Sequence, residues 1–246
     1  MIWLIGGTSN ATEICEHLAS EAHRVLVSVT TDYGRQLSEF PGIEVVQGKL
    51  SREEMEHLIQ TRGVRLVVDA SHPFATEVST NAMQAAKNTG VPYLRFERGN
   101  TRFESATYVD DYEQAVAYLA DKPGNILLTT GSKFVAKFTP LGVERLFARV
   151  LSTSDSVALC EQAGLKPVNV IAMCGVGSFA LNMALLKEFD IQFLVTKESG
   201  VEGGLQEKIE AANQMNAEVI IIQRPVINYP EVYSDYDLLM GRIKTI

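Results

Sequence analysis

The chain opens MIWLIGGTSNATEI, residues 1–14. Four apolar residues, Ile2-Trp3-Leu4-Ile5, run straight into Gly6-Gly7-Thr8-Ser9, and an amphipathic stretch begins at Ala11. A short strand, a glycine turn and a helix N-terminus in succession read as the first β-α unit of an α/β sheet, with free backbone N–H groups facing an anion. The pattern recurs along the chain. WLI, RVLVSVT, IEVVQG, RLVVDA, PYLRF, NILLTT, LFARVL, NVIAMC, IQFLVT and EVIIIQ alternate with helical stretches, the mark of parallel sheets with helices on both faces. Ser51 to Glu54 and Asp110 to Glu113 fit capping boxes ahead of Met55-Leu58-Ile59 and Ala115-Val116-Leu119.

An internal repeat divides the chain. AAKNTGVPYLRFER, Ala85 to Arg98, lies without a gap on AANQMNAEVIIIQR, Ala211 to Arg224, and WLIGGTS matches LLTTGSK at Leu127 to Lys133. Two similar halves are predicted, 1–110 and 111–246, with the seam between Gly99 and Asn125, where Lys122-Pro123-Gly124 interrupts the pattern. The fold class expected is α/β, two Rossmann-like parallel-sheet domains with a cleft between them at the strand C-termini.

The length of 246 residues and 46% hydrophobic content suit one large or two small globular domains. A net charge of -8 and a pI near 5.1 argue against nucleic acid as partner. No apolar run spans a membrane, and the first residues carry no basic, cleavable leader, so a cytoplasmic protein with no membrane partner is expected. Cys15, Cys160 and Cys174 are far apart, which suggests neither disulfides nor a metal site and predicts three buried thiols.

The G-x-G-x-x-G fingerprint is absent at residues 6–9, so the glycines fit either an anion cradle or a sterically tight turn. After the second strand comes Ser28-Val29-Thr30-Thr31, with Arg35 nearby, in place of the acidic residue that accepts from ribose hydroxyls; a 2′-phosphate suits this better, although Asp32 is an acidic neighbour. In Asp69-Ala70-Ser71-His72-Pro73-Phe74-Ala75 the polar residues follow a buried-type strand and Pro73 fits helix position N1. His72 is a candidate to donate a proton or hold a carboxylate, with a structural cap as the plain alternative. Lys133, Arg149, Lys197, Lys208 and Arg224 stand at or near strand ends of the second half, which points to a substrate with several negative groups.

The stretches GGTSNATEI, DASHPFATEVSTNA, VPYLRFERG, LLTTGSK, VTKESGVEGGLQEKIEAA and IIIQRP together resemble, in this order and over nearly the whole chain, the precorrin-6A reductase family of cobalamin biosynthesis, including its cobalt-precorrin-6A members. Family members often have Arg-Pro after the fifth strand, where this chain has Arg98-Gly99. The resemblance implies two Rossmann-like domains and a nicotinamide coenzyme. It also implies reduction of precorrin-6A to precorrin-6B, with hydride going to carbon 19 of a polycarboxylate tetrapyrrole and a proton to carbon 18. On that basis the first half is expected to hold NADPH, with NADH as the alternative, through Gly6, Gly7, Thr8, Ser9, Thr30, Thr31, Arg35 and Ser71. The substrate carboxylates are expected at His72, Arg98, Lys133, Arg149, Lys197, Lys208 and Arg224, with His72 also the candidate acid. Product handover to the next pathway enzyme is a further expectation. The sequence leaves an exchange of roles between the halves open, and the rival class is a non-catalytic dinucleotide-binding regulator.

Overall fold

The computed structural model describes residues 1–99, 101–200 and 203–246, and of Tyr33 the backbone alone. Asn100, in the predicted seam, and Val201-Glu202, inside one of the stretches quoted for the resemblance, lie outside the described residues. The chain forms two compact units. The first joins Met1–Gly99 to Pro225–Ile246, and the second is the segment between them.

The first unit begins β1 (Ile2–Ile5), α1 (Ser9–Ser20), β2 (Val25–Val29), α2 (Asp32–Leu37), β3 (Ile43–Gln47), α3 (Arg52–Arg62), β4 (Leu66–Asp69), α4 (Thr76–Thr89) and β5 (Tyr93–Phe96). The second contains β6 (Ala106–Val109), α5 (Tyr112–Leu119), β7 (Asn125–Leu128), a 3-10 run (Ser132–Leu141), β8 (Leu146–Val150), α6 (Ser154–Gln162), β9 (Val170–Ala172), α7 (Phe179–Glu188), β10 (Ile191–Lys197), α8 (Leu205–Gln214) and β11 (Glu218–Ile222). The chain then returns to the first unit as β12 (Val232–Tyr233) and α9 (Tyr236–Ile243).

Among the described residues each unit holds a six-stranded sheet, ordered β12-β5-β4-β1-β2-β3 in the first and β6-β11-β10-β7-β8-β9 in the second. Strand pairing is parallel in both, as at β1 with β2 and β4, and at β10 with β7 and β11. This is the doubly wound order with an added edge strand, borrowed in the first unit from the chain's C-terminal segment. Its switch points, where ligands bind in such sheets, lie at the C-terminal ends of β1 and β4 in one unit and of β7 and β10 in the other.

Alternation along the strands fills both faces of the first sheet. Ile2, Leu4, Val25, Val27 and Val68 pack with Ile14 and Leu18 of α1 and with Leu239 and Ile243 of α9. Trp3, Ile5, Leu26 and Val67 pack with Met55 of α3 and Ala82 and Ala86 of α4. In the second unit Leu127, Leu194, Val219 and Ile221 pack with Leu186 of α7 and Ile209 of α8.

Each quoted apolar run is a strand, and the repeat holds at the level of backbone. Gly90 (φ 71°) and Asn216 (φ 56°) occupy matched left-handed positions, each followed by the same closing bond, Val91 N–H to Ala86 and Ala217 N–H to Ala212, both 2.9 Å. Asparagine is one of the few residues that tolerates this conformation in place of glycine.

Several expectations are corrected. The chain divides after Gly99 rather than at 110, and residues 225–246 rejoin the first unit because β12 pairs with β5. The Ser51 capping box is present, but α5 is capped by Asp111, whose side chain accepts from Gln114 N–H, one residue past the expected Asp110. Helix α4 starts at Thr76 with Ala75 as cap, so Pro73 lies in the preceding turn and not at N1. After Gly131 the chain winds as a 3-10 run with no side-chain cap, where the match to residues 3–9 predicts a helix like α1. Cys174 is exposed, while Cys15 and Cys160 are buried. Among the described residues no helix is long and apolar enough to cross a membrane.

Candidate active site

At the first switch point, Gly6 is tightly packed, since an added Cβ would lie 3.0 Å from Val27 Cγ1 and would need it to shift. Gly7 has φ +102° and open space around it. Thr8 caps α1: its Oγ1 accepts from Ala11 N–H at 3.2 Å and donates to Ala70 carbonyl at 2.7 Å, which fastens the loop after β1 to the loop after β4. Ser9 and Asn10 open the helix, so their N–H groups have no intrahelical partner, and the half-buried Asn10 carries a buried Oδ1 without a hydrogen bond.

The loop after β4 hangs from a knot of charges that the sequence reading did not single out. Asp69 and Arg95 face each other in register on adjacent strands, both fully buried. Asp69 Oδ1 accepts from Arg95 Nη1 and from Ser71 N–H, each at 2.9 Å, and Oδ2 accepts from Ser79 Oγ at 2.6 Å and Tyr93 OH at 2.5 Å. Arg95 also donates from Nε and Nη2 to Glu97 Oε2, at 3.0 and 2.9 Å. Its guanidinium lies 5.1 Å over the ring of Tyr229, which comes from the returning C-terminal segment and stacks on Tyr93. Burial and the Asp69 charge push the Tyr93 phenol far up, so it stays a donor. Arg95, a cation inside the apolar run Tyr93-Leu94-Arg95-Phe96, was the available signal in the sequence.

Ser71 is turned into this knot, receiving Arg95 Nη1 at 3.2 Å. His72 is half-buried beyond it, and its Nδ1 accepts from Phe74 N–H at 3.2 Å, which leaves the neutral imidazole's proton on Nε2. Thr30 is exposed at the end of β2. The Thr31 hydroxyl is used as the cap of α2, accepting from Gly34 N–H at 3.0 Å. Arg35 is exposed and pairs with Glu39 at 3.1 Å, and Asp32 accepts from Gln47 at 2.8 Å. Arg98 pairs with Glu13 at 2.7 Å on the surface of the same unit.

In the second unit the structure gathers Arg149, Lys197 and Lys208, with Lys133 exposed at the margin. Arg149 is 8% exposed and its Nη1 donates to Asn182 Oδ1 at 2.8 Å; burial lowers its pKa. Asn182 is itself oriented by donating to the carbonyls of Gly177 and Ser178. Lys208 is 5% exposed and donates to Gly203 carbonyl at 2.7 Å. Burial, then Arg149 and Lys197, press its ammonium down to about 7. Burial and then Lys133 bring Lys197 to about 8, and its ammonium lies 5.6 Å from the Phe134 ring. Arg224 is held at the end of β11 by Glu198, which accepts its backbone N–H at 3.1 Å and lies 3.9 Å from its Nε. Near the ends of β7 and β10, the buried hydroxyls of Thr130 and Thr196 have no hydrogen-bond partner among the described residues. Buried cations and unsatisfied buried hydroxyls at a switch point are features that suit an anionic ligand.

The family model described as precorrin-6x reductase CbiJ/CobK matches residues 1–244. A cobalt-precorrin-6A reductase of Priestia megaterium is 40% identical over 243 residues, covering 96% of this chain and 95% of the relative. A precorrin-6A reductase of Rhodobacter capsulatus is 26% identical over 251 residues, covering 97% and 93%. The solved structure of CobK precorrin-6A reductase has the same fold, with a TM-score of 0.83 at 22% identity over 99% of this chain and 96% of that one. With a family match that runs almost end to end, the chain belongs to the precorrin-6x reductases, oxidoreductases of cobalamin biosynthesis that act on a CH–CH bond.

Proposed function

We propose that the protein reduces cobalt-precorrin-6A with NADPH, delivering hydride to carbon 19 and a proton to carbon 18 to give the precorrin-6B oxidation level. The first unit is the coenzyme unit and the second the tetrapyrrole unit. The observation that carries this division is the difference between the two matched switch points. The first keeps a capped α-helix behind two glycines, with open space at Gly7 and the Ser9 and Asn10 N–H groups without an intrahelical partner, features that fit a diphosphate. The second replaces that helix with an uncapped 3-10 run and gathers buried cations, features that fit carboxylates.

The bound coenzyme supplies the hydride. The chain's own residues hold and orient. Gly6, Gly7, Thr8 and Ser9 face the diphosphate, Thr30, Thr31 and Arg35 stand at the adenosine ribose, and the Asp69–Arg95 knot fixes the Ser71–His72 loop beside them. Arg35 carries the preference for NADPH, because its partner Glu39 is exposed and such a surface pair exchanges readily for a 2′-phosphate. His72 anchors a substrate carboxylate from Nε2. Lys133, Arg149, Lys197, Lys208 and Arg224 take further carboxylates. The cobalt-containing ring is favoured by the greater likeness to the relative named for it.

The test is to mix the protein with reduced coenzyme and cobalt-precorrin-6A and follow the nicotinamide absorbance band. Loss of that band only when both are present supports the reading. No oxidation of either NADPH or NADH would favour the non-catalytic regulator.

A further inference from the structure

The cations of the second unit differ in how they are neutralised. Arg224 lies against Glu198. Arg149 and Lys208, the two most buried, have no carboxylate within ion-pair distance among the described residues, although Glu207 acts on Lys208 from farther off: one donates to a neutral amide, the other to a backbone carbonyl. A guanidinium offers five N–H donors and an ammonium three, so most of their donors are not taken up by side chains or backbone among the described residues. Burial of charge in this condition is unfavourable until an opposite charge arrives.

The neighbouring turn carries exposed apolar side chains. Val176, Phe179 and Leu181 are among the large apolar side chains left exposed. They belong to the turn after β9 and the start of α7, and that turn is packed on both cations' supports. An added Cβ at Gly177 would lie 3.3 Å from Arg149 Nη1 and 3.5 Å from Leu181 Cδ2, and one at Gly204, four residues before Lys208, would lie 2.6 Å from Val176 Cβ. Buried cations beside a turn with exposed apolar side chains suit an acid group carried on an apolar body. A carboxylate on the edge of a macrocycle has that form, whereas a phosphate on a ribose brings polar hydroxyls to the collar.

Resting on the assignment of the tetrapyrrole to this unit, we propose that Arg149 and Lys208 form a subsite for one ring carboxylate beside the turn that carries Val176 and Leu181, and that filling it draws a proton from solvent onto Lys208. The amine lone pair takes the proton and the resulting ammonium pairs with the carboxylate, so the buffer loses one proton for each ligand bound. The groups acting on Lys208 are Arg149 from β8 and Lys197 from β10, both opposing its charge, and Glu207 on its own helix, favouring it. Burial is the largest influence and leaves the empty site titrating at about 7. An incoming carboxylate reverses that balance. Lys197, at about 8, titrates in the same direction, so substitution of Lys208 is needed to separate its share.

The experiment is calorimetric titration at pH 8, in two buffers of different ionisation enthalpy, with uroporphyrin as a non-reacting tetrapyrrole polycarboxylate and with NADPH in parallel. Uptake of about one proton or more per uroporphyrin is expected, with the dissociation constant rising about tenfold or more between pH 8 and pH 9. Lys208→Met should lose most of a proton of that uptake. Lys208→Arg, always charged, should bind without it. Salt-sensitive binding that needs Arg149 yet takes up no proton would overturn the proposal and leave the tetrapyrrole assignment standing. Uptake seen with NADPH and abolished by Lys208→Met would give the pair to a coenzyme phosphate and overturn both. Failure of uroporphyrin to bind, or binding indifferent to salt and to Arg149→Met, would likewise remove the assignment and the subsite together.

Discussion

Replacing Asp69 tests whether the buried knot holds the first switch point. Its carboxylate accepts four hydrogen bonds, from Ser71 N–H, Arg95 Nη1, Ser79 Oγ and Tyr93 OH, and neither it nor Arg95 reaches solvent. Removing one partner of a buried ion pair costs about 3–5 kcal/mol. Arg95 keeps two bonds to Glu97, which places Asp69→Ala toward the lower end of that range. Asp69→Asn keeps the shape. Its amide oxygen can face Arg95 and Ser71 N–H while its NH2 donates to the Ser79 and Tyr93 hydroxyls, so the loss is that of charge assistance, about 1.5–3 kcal/mol. The chain's single tryptophan, Trp3, is buried in β1 of the same unit and donates to Ser28 Oγ at 2.9 Å, so its fluorescence reports this unit's unfolding. With a urea slope of about 2 kcal/mol/M, the Trp3 midpoint should fall by about 1.5–2 M for alanine and about half that for asparagine. An alanine variant unfolding within about 0.5 M of the parent would refute the idea that this pair anchors the loop.

Three other outcomes follow from the sites. Arg35→Ala should raise the KM for NADPH about tenfold to a hundredfold, the worth of one charge-assisted contact, and leave the KM for NADH nearly unchanged; equal losses would remove Arg35 from the 2′-phosphate. His72→Ala should weaken substrate binding more than it slows the single-turnover rate at saturation, and a rate loss beyond about a hundredfold with affinity intact would make His72 the general acid instead. Neutralising Lys197 or Arg224 should weaken tetrapyrrole binding and flatten its dependence on salt, while binding that ignores both changes would contradict a carboxylate-binding second unit.

The sheets were legible because parallel strands buried on both faces read as unbroken apolar runs, and the repeat carried down to matched backbone conformations at Gly90 and Asn216. The edge strand β12 was not. Val232-Tyr233 is short and becomes a strand only through pairing, with Arg95 N–H donating to Glu231 carbonyl and Glu97 N–H to Tyr233 carbonyl. Pro73 misled because the chain makes a turn at His72–Ala75 before the helix begins, a turn closed by Ala75 N–H on His72 carbonyl at 2.7 Å. The basic residues of the second half were visible as strand-end charges, but which of them are buried depends on how the turns at Gly177 and Gly203 pack over them. The Asp69–Arg95 pair required knowing that β4 and β5 are neighbours in register, and the spacing of the two residues in sequence carries no such information.

The most direct test of the reductase account is a single turnover of cobalt-precorrin-6A with NADPH deuterated at the transferable position of nicotinamide carbon 4, read by mass spectrometry and NMR of the product. The account predicts one deuterium, located at carbon 19, and a solvent-derived hydrogen at carbon 18, formed in step with coenzyme oxidation. Product with no deuterium, or deuterium at carbon 18, would contradict it.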